Sequence, residues 1–380
     1  MKPVFTSELS KILSGFLSYI SYRYPEVEYM LRPDKTTAGA GAKKRKDRSL
    51  AAQVFSNKRV TDYIEFDRAA VSLLCLQWLI RDDYDKFTHN QKKKIKLSKT
   101  SFRKLQRYVQ DLVQTDEELE SAIYATICND MGKTKKVVAA YRKQIGHNDS
   151  DHDKIYSTLI EKRPELFPGI AHLSEKQKKY LIQGLKTNFN LGQLVQGENV
   201  PASLISIKKL SAPAKNLFIL HSFLDIAGSS GHIDHNGSLV MNETMTRVFL
   251  IALDVLSKKI TVQSYNEFLF KFGQIAGISV VNSETYALAR LAALSRCYTK
   301  DEGKTIQKAW QKLSSITRAV LTKELRISGL KDETAILLYY APAFIENLKN
   351  AYLKKSTQKM AKVDAFVLAF TKLAEVYQYV

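Results

Sequence analysis

The chain has 380 residues, 45% of them hydrophobic and 25% charged, so it can bury a sizeable core without disulfides or structural metal, and its length suggests two domains or one core with an added helical layer. A formal net charge of +20 favours anionic partners: nucleic acid, phosphorylated ligands, acidic proteins or lipid surfaces. The three cysteines, Cys75, Cys128 and Cys297, each sit in an apolar run, which argues against a disulfide framework or a CxxC zinc site and for buried thiols in a reducing compartment.

The first 25 residues mix apolar positions with Ser, Glu and Lys and read as an amphipathic helix, not a signal peptide. Residues 33–48, PDKTTAGAGAKKRKDR, lack apolar periodicity and read as a mobile basic loop whose KKRK could contact phosphate. After residue 60, apolar residues recur nearly everywhere at three- and four-residue steps, the spacing of helices. Residues 66–84 begin a core helix. Ser98 introduces a second, and Thr115 followed by Asp116, Glu117 and Glu118 is an N-cap with an acidic first turn, opening a helix that should run to Gly132.

Residues 189–210, with Gly192, Gly197, Pro201 and a β-leaning SLISI, read as a loop with room for a small hairpin. Helical periodicity returns at Ala212 and continues through a series of segments, among them one long helix over TIQKAWQKLSSITRAVLTKEL. No run approaches the roughly 20 apolar residues of a spanning helix, so a protein of the cytoplasm without a transmembrane segment is expected. No fixed-period repeat is present.

Chemistry-bearing residues gather in three places. Asn129-Asp130-Met131-Gly132-Lys133 closes an apolar helix, setting a carboxylate at the rim of a core with a cation nearby, an arrangement suited to a metal ion holding a phosphate ester. His147-Asn148-Asp149-Ser150-Asp151-His152-Asp153 precedes the next helix. His221 and Asp225, four apart, share one face of an otherwise apolar helix that Gly228, Gly231, His232 and His235 follow, and they need each other, a backbone group or a metal. Each also has a purely structural reading: Asp130 as a turn cap, His147 and His152 as exposed helix-start residues, His221 with Asp225 as a core hydrogen bond. His172, His232 and His235 read as loop or surface residues.

NDMGK resembles the central motif of the HD-domain superfamily of metal-dependent phosphohydrolases, with Asn129 where that family carries histidine. The later histidine-bearing helix and the His221/Asp225 helix follow in the expected order. The resemblance covers about residues 66–256 and implies an all-α fold, an HD-like helical bundle with an additional C-terminal helical layer: 1–60 an N-terminal helix and basic loop, 61–260 the HD-like core, 261–380 a C-terminal bundle. It further implies a divalent metal ion, Mg, Mn or similar, with Asn129, Asp130, His147, His152, His221 and Asp225 as candidate ligands. Asp130 and Lys133 become the catalytic candidates, Lys133 also binding phosphate. The partner would be a phosphorylated small molecule or nucleotide. The amide of Asn129 is a poor ligand for Zn and a tolerable one for Mg or Ca. The upstream histidine of that family has one counterpart, His89, in the polar stretch KFTHNQKKK.

The expected function is therefore a metal-dependent phosphohydrolase or phosphodiesterase. Two other accounts are a catalytically inactive HD-like binding or scaffold module and a basic helical nucleic-acid-binding protein, the latter suggested by SFRKLQRY and AAYRKQ but without a helix-turn-helix or RNP-like signature. There is no P-loop, no GxGxxG after a strand, no GxSxG and no HExxH, which sets aside kinase, dehydrogenase and serine-hydrolase chemistry.

Overall fold

The computed structural model describes residues 16–38, 64–261, 263–327, 336–355 and 361–379. Among them every regular element is helical, and the extended backbone pairs at an isolated bridge between Pro33 and Thr134. The fold is all-α. None of the described helices is long and apolar enough to cross a membrane.

Contacts divide the chain into two compact units, Met1–Thr187 with Leu210–Glu243, and Asn188–Lys209 with Thr244–Val380. The first unit holds α1 (Phe16–Arg23), α2 (Ile64–Arg81), α3 (Lys99–Leu112), α4 (Asp116–Cys128), α5 (Lys135–Ile145), α6 (His152–Lys162), α7 (Glu175–Leu185) and α8 (Ala212–Gly228). Helix α2 is its axis. Val71, Leu73, Cys75, Leu76 and Leu79 expose nothing, because α3, α4 and α8 all pack on it, and a helix covered on several sides is apolar nearly all round.

Local chemistry sets the helix ends. Ser98 accepts a hydrogen bond from the Ser101 amide at the start of α3, and Thr115 with Glu118 forms a capping box on α4. A buried polar chain anchors the segment after α1: Arg23 bonds Glu120 at 3.0 and 2.8 Å, and Tyr24 donates to the same carboxylate at 2.5 Å. Tyr124 donates to Glu26 at 3.0 Å and receives Tyr156 at 3.2 Å.

The second unit carries helical turns at Leu191–Val195 and Leu204–Lys208, then α9 (Glu243–Ser257), α10 (Gln263–Ala276), α11 (Ser283–Leu294), α12 (Lys300–Lys312), α13 (Ser315–Ile327), α14 (Ile336–Lys355) and α15 (Ala361–Tyr379). Helices α14 and α15 pair along their lengths, α11 packs on α13, and α12 packs on α15.

Three sequence expectations change. SLISI is helical, not a hairpin strand: Pro201 starts a 3-10 turn, Ser203 Oγ bonds Val200 O at 2.7 Å, and Leu204 and Ile207, three apart, bury one face. The segment expected as one long helix is two, because Leu313 turns to extended backbone (φ −69, ψ 149) to bury its side chain and Ser314 Oγ accepts from the Thr317 amide at 3.1 Å. In the stretch expected as a mobile loop, Lys35–Ala38 forms one helical turn that Asp34 caps by accepting from the Thr36 amide at 3.0 Å. The KKRK sequence lies outside the described residues.

Candidate functional site

The site is built around a tight turn. Helix α4 stops at Cys128, before the glycine expected to end it, and the chain tightens into a 3-10 turn over Asn129–Lys133 in which Asp130 (φ −91, ψ 15) leaves helical geometry. Backbone bonds from the Asp34 amide to Lys133 O (2.8 Å) and from the Lys135 amide to Arg32 O (2.9 Å) strap this turn to the preceding chain.

Glycines set the close approaches. A Cβ on Gly132 would lie 1.9 Å from His152 O, so the absence of a side chain there lets the start of α6 meet the turn. A Cβ on Gly228 would fall 2.3 Å from the Ser72 amide nitrogen, and one on Gly231 2.5 Å from Asp67 O, so α8 and the chain after it rest directly on α2.

The consequence is a charged cluster drawn from four places. Lys133 Nζ lies 2.8 Å from Asp130 Oδ1 and 3.4 Å from Glu65 Oε1. Arg68 bonds Glu65 Oε2 at 2.9 Å and Ser229 O at 2.8 Å, tying α2 to the end of α8. His152 Nε2 stands 4.0 Å from Asp130 Oδ1 and 3.5 Å from Asp153 Oδ1, the latter at ion-pair range but off the line of a hydrogen bond. Asp225 is exposed to solvent yet near enough to Asp130, Lys133, Arg68 and Glu65 for their charges to act on it.

Charge is unevenly balanced there. Glu65, Asp130, Asp153 and Asp225 face two fixed cations, Lys133 and Arg68. Burial pushes the Glu65 carboxyl up, and the Asp130 charge adds to it against Lys133 and Arg68. Burial also acts to raise Asp130, but Lys133, with His152 in support, outweighs it and holds that carboxyl below its ordinary value. Burial, then the Asp130 and Asp151 charges, push Asp153 up to about 6 against the pull of His152.

Asp225 is pushed up to about 7 by the atoms crowded around it. The Asp130 charge adds to that crowding, against the pull of Lys133 and Arg68. Burial lowers His221 to about 4, opposed by Asp130, so its imidazole is neutral. Burial would lower Lys133, but Asp130, Glu65 and Asp225 overcome it and keep the ammonium charged.

On one side the cluster borders a narrow cavity of about 30 Å³ that Asn129, Asp153, Tyr156, Tyr180, Phe218 and His221 help line. His221 Nε2 and Asp153 Oδ1 are buried there without a hydrogen-bond partner among the described residues, and unsatisfied buried atoms of this kind are uncommon in native folds.

Of the residues singled out from sequence, Asp130, Lys133, His152 and Asp225 meet in this cluster, while Asn129 and His221 line the adjoining cavity. His147 does not join them. It is exposed and packs edge-on against Tyr141, ring centroids 6.2 Å apart, because the α5 C-cap at Gly146 turns the chain outward before α6 begins. His89 is also exposed, its backbone against Gly237, and lends α2 no imidazole. As the side chains stand, no group of three or more His, Cys, Asp or Glu among the described residues is arranged to hold a metal ion.

Residues 19–379 match the model of a family of unknown function, DUF6829. The chain belongs to the DUF6829 family. No curated protein and no solved structure matches it.

In this DUF6829 member, reasoning from sequence missed Glu65, Arg68 and Asp153. Glu65 and Arg68 are three apart, which puts them on one helix face, and Glu65 is a carboxylate opening an apolar run. That spacing was the available signal. Asp153 was hidden among the acids of NDSDHD, where Asp151 takes the N-cap by accepting from the Asp153 and Lys154 amides.

Proposed function

We propose that the first unit is a divalent-cation-dependent phosphoesterase of HD-like architecture. One observation carries the reading: among the described residues four carboxyls, Glu65, Asp130, Asp153 and Asp225, crowd around two fixed cations, Lys133 and Arg68. Carboxyls pushed up by one another are relieved by a cation. The donors are carboxylate oxygens with an amide and imidazoles nearby and no thiolate within the cluster, a set that suits Mg or Mn. The meeting of the NDMGK turn with α6 and α8, in the order the HD resemblance implies, adds support.

Glu65, Asp130 and Asp225 would hold the cation, with His152 beside them, and Lys133 would exchange part of its contact with the acids for a phosphoryl oxygen. A divalent ion bound there would lower the pKa of its water and polarise the phosphoryl group. Lys133 and Arg68 would neutralise charge building on the ester as the water oxygen bonds to phosphorus and the bond to the leaving oxygen breaks. His152, near Asp130 and Asp153, is placed to take the proton released by the water.

The test is hydrolysis of bis(p-nitrophenyl) phosphate with Mn²⁺ or Mg²⁺. Turnover is expected to vanish with chelator and to fall by roughly 100-fold or more in Asp130→Asn, the scale for losing a main electrostatic group at a reacting centre. Metal-independent turnover, or turnover unchanged by Asp130→Asn, would contradict the proposal.

A second reading has an observation of its own. The Lys133 ammonium already lies between Asp130 and Glu65, the place a cation would take, as in a catalytically inactive member that keeps the helical pocket for binding. That reading expects inorganic phosphate to bind without any metal.

A further inference from the structure

A wider recess of about 360 Å³ adjoins the narrow cavity, and Tyr180 and Leu217 line both. It lies where the end of α3 and the start of α4 meet α7 and α8, and its volume is in the range of small-molecule sites. Asp111, Glu117 and Glu118 line it against one cation, Lys176. An acidic recess is unexpected in a chain of net charge +20.

Helix chemistry explains part of that acidity. Glu117 and Glu118 stand in the first turn of α4, where the helix dipole favours carboxylates, and Glu118 also completes the capping box. Asp111 has no such reason. It sits in the last turn of α3, the end at which the dipole disfavours an anion, and neither it nor the Glu117 carboxylate meets a cation at ion-pair distance among the described residues. Tyr180 offers a ring face that already attracts an ammonium, Lys176 Nζ standing 6.0 Å from its centroid.

At the inner end, His221 Nε2 is buried without a hydrogen-bond partner beside the narrow cavity, and so is Asp153 Oδ1, which has the His152 imidazole at 3.5 Å but no hydrogen bond, an independent sign that a polar ligand atom belongs there. Between the two ends the walls are apolar and aromatic: Leu181, Leu185, Leu217 and Phe218 with Tyr180.

We propose that the cavity and the recess form one binding track for the organic part of the substrate, an amine whose ammonium sits among Asp111, Glu117 and Tyr180 and whose apolar or aromatic body runs along Leu217 and Phe218 toward His221. This assignment of substrate class rests on the inner cluster being the phosphoryl site. The ester oxygen then lies at the Asn129, Asp153 and His221 end, and the amine at the far end. A phosphate ester of an amino alcohol, or of a phenol that carries an aminoalkyl chain, fits both.

Phenethylamine, which carries no phosphate and needs no metal, tests the track alone in the full-length protein by calorimetry or ligand-observed NMR. Saturable binding is expected, with 2-phenylethanol about tenfold weaker, phenylacetate weaker still, and Asp111→Asn/Glu117→Gln lowering amine affinity about tenfold without lowering Tm, since both acids are exposed. Tyr180→Ala should weaken amine and alcohol together. Equal binding of amine and alcohol, no saturable amine binding, or indifference to the double substitution overturns the track. Amine binding without cation-dependent hydrolysis would instead leave the track standing and remove the phosphoesterase reading.

Discussion

Gly132 stands directly against the backbone of His152, where even a methyl group would lie 1.9 Å from the carbonyl oxygen. The contact joins the turn carrying Asp130 and Lys133 to the helix carrying His152 and Asp153, so Gly132→Ala must push α6 away. We expect a loss of about 1–3 kcal/mol, the usual cost of overpacking, seen as a Tm several degrees lower. Gly146→Ala is the comparison: Gly146 has a positive φ of 84 but open space around it, so only backbone strain of about 1 kcal/mol is at stake. Equal Tm values for Gly132→Ala and the wild type would contradict the packing described here.

Lys133→Met tests the ion pairs. Removing the ammonium leaves Asp130 and Glu65 buried beside each other, and breaking a buried pair from one side costs about 3–5 kcal/mol. The sign with pH follows from Asp130, whose folded pKa lies below the ordinary value of 3.8: its stabilisation is present above that value and lost as pH falls through the lowered one. Without the ammonium, burial and the neighbouring acid make both carboxyls of the variant protonate more readily than in the wild type, so Lys133→Met should be most damaging at pH 7–8 and progressively less so as pH falls toward 4. Thermal melts across that range check it, and Lys133→Met/Asp130→Asn should recover most of the loss.

Asp153 and Asp225 titrate the other way. Raised to about 6 and about 7 from 3.8, they hold protons in the folded state that the unfolded chain has released, so their contribution to stability is greatest below pH 4 and declines as pH rises to 7. His221, lowered to about 4 from 6.5, acts in the opposite direction, favouring the fold as pH rises from 4 to 6.5. Asp225→Asn should accordingly raise Tm at pH 8 and leave it nearly unchanged at pH 4. A Tm at pH 8 lowered by Asp225→Asn would show that the carboxylate is stabilised by its surroundings, contrary to the charge balance argued here.

Much of the helical architecture is legible in the sequence because it is locally encoded. Ser98, and Thr115 with Glu118, announce their helices by side-chain chemistry within one turn. Asp130, His152 and Asp225 could be singled out because polar residues beside apolar helices need partners. What could not be read depends on approaches distant in sequence. Glu65 and Arg68 reach the cluster because Gly228 and Gly231 let the α8 region settle on α2, more than 140 residues away, and no local pattern encodes that meeting. The break at Leu313 carries no Gly or Pro, and arises from the burial of one leucine and the cap at Ser314. His147 resembles His152 in sequence, yet the left-handed turn at Gly146 sends it to the surface.

The central claim is that the surplus of carboxylates around Asp130 awaits a divalent cation. The most direct measurement is a calorimetric titration of the metal-free protein with Mn²⁺ at pH 7.5, repeated on Glu65→Gln and Asp225→Asn. The account predicts saturable binding in the wild type, with proton release and a raised Tm, and affinity at least about tenfold weaker in each variant. Absence of Mn²⁺ binding to the wild type, or binding that both substitutions leave untouched, would contradict it.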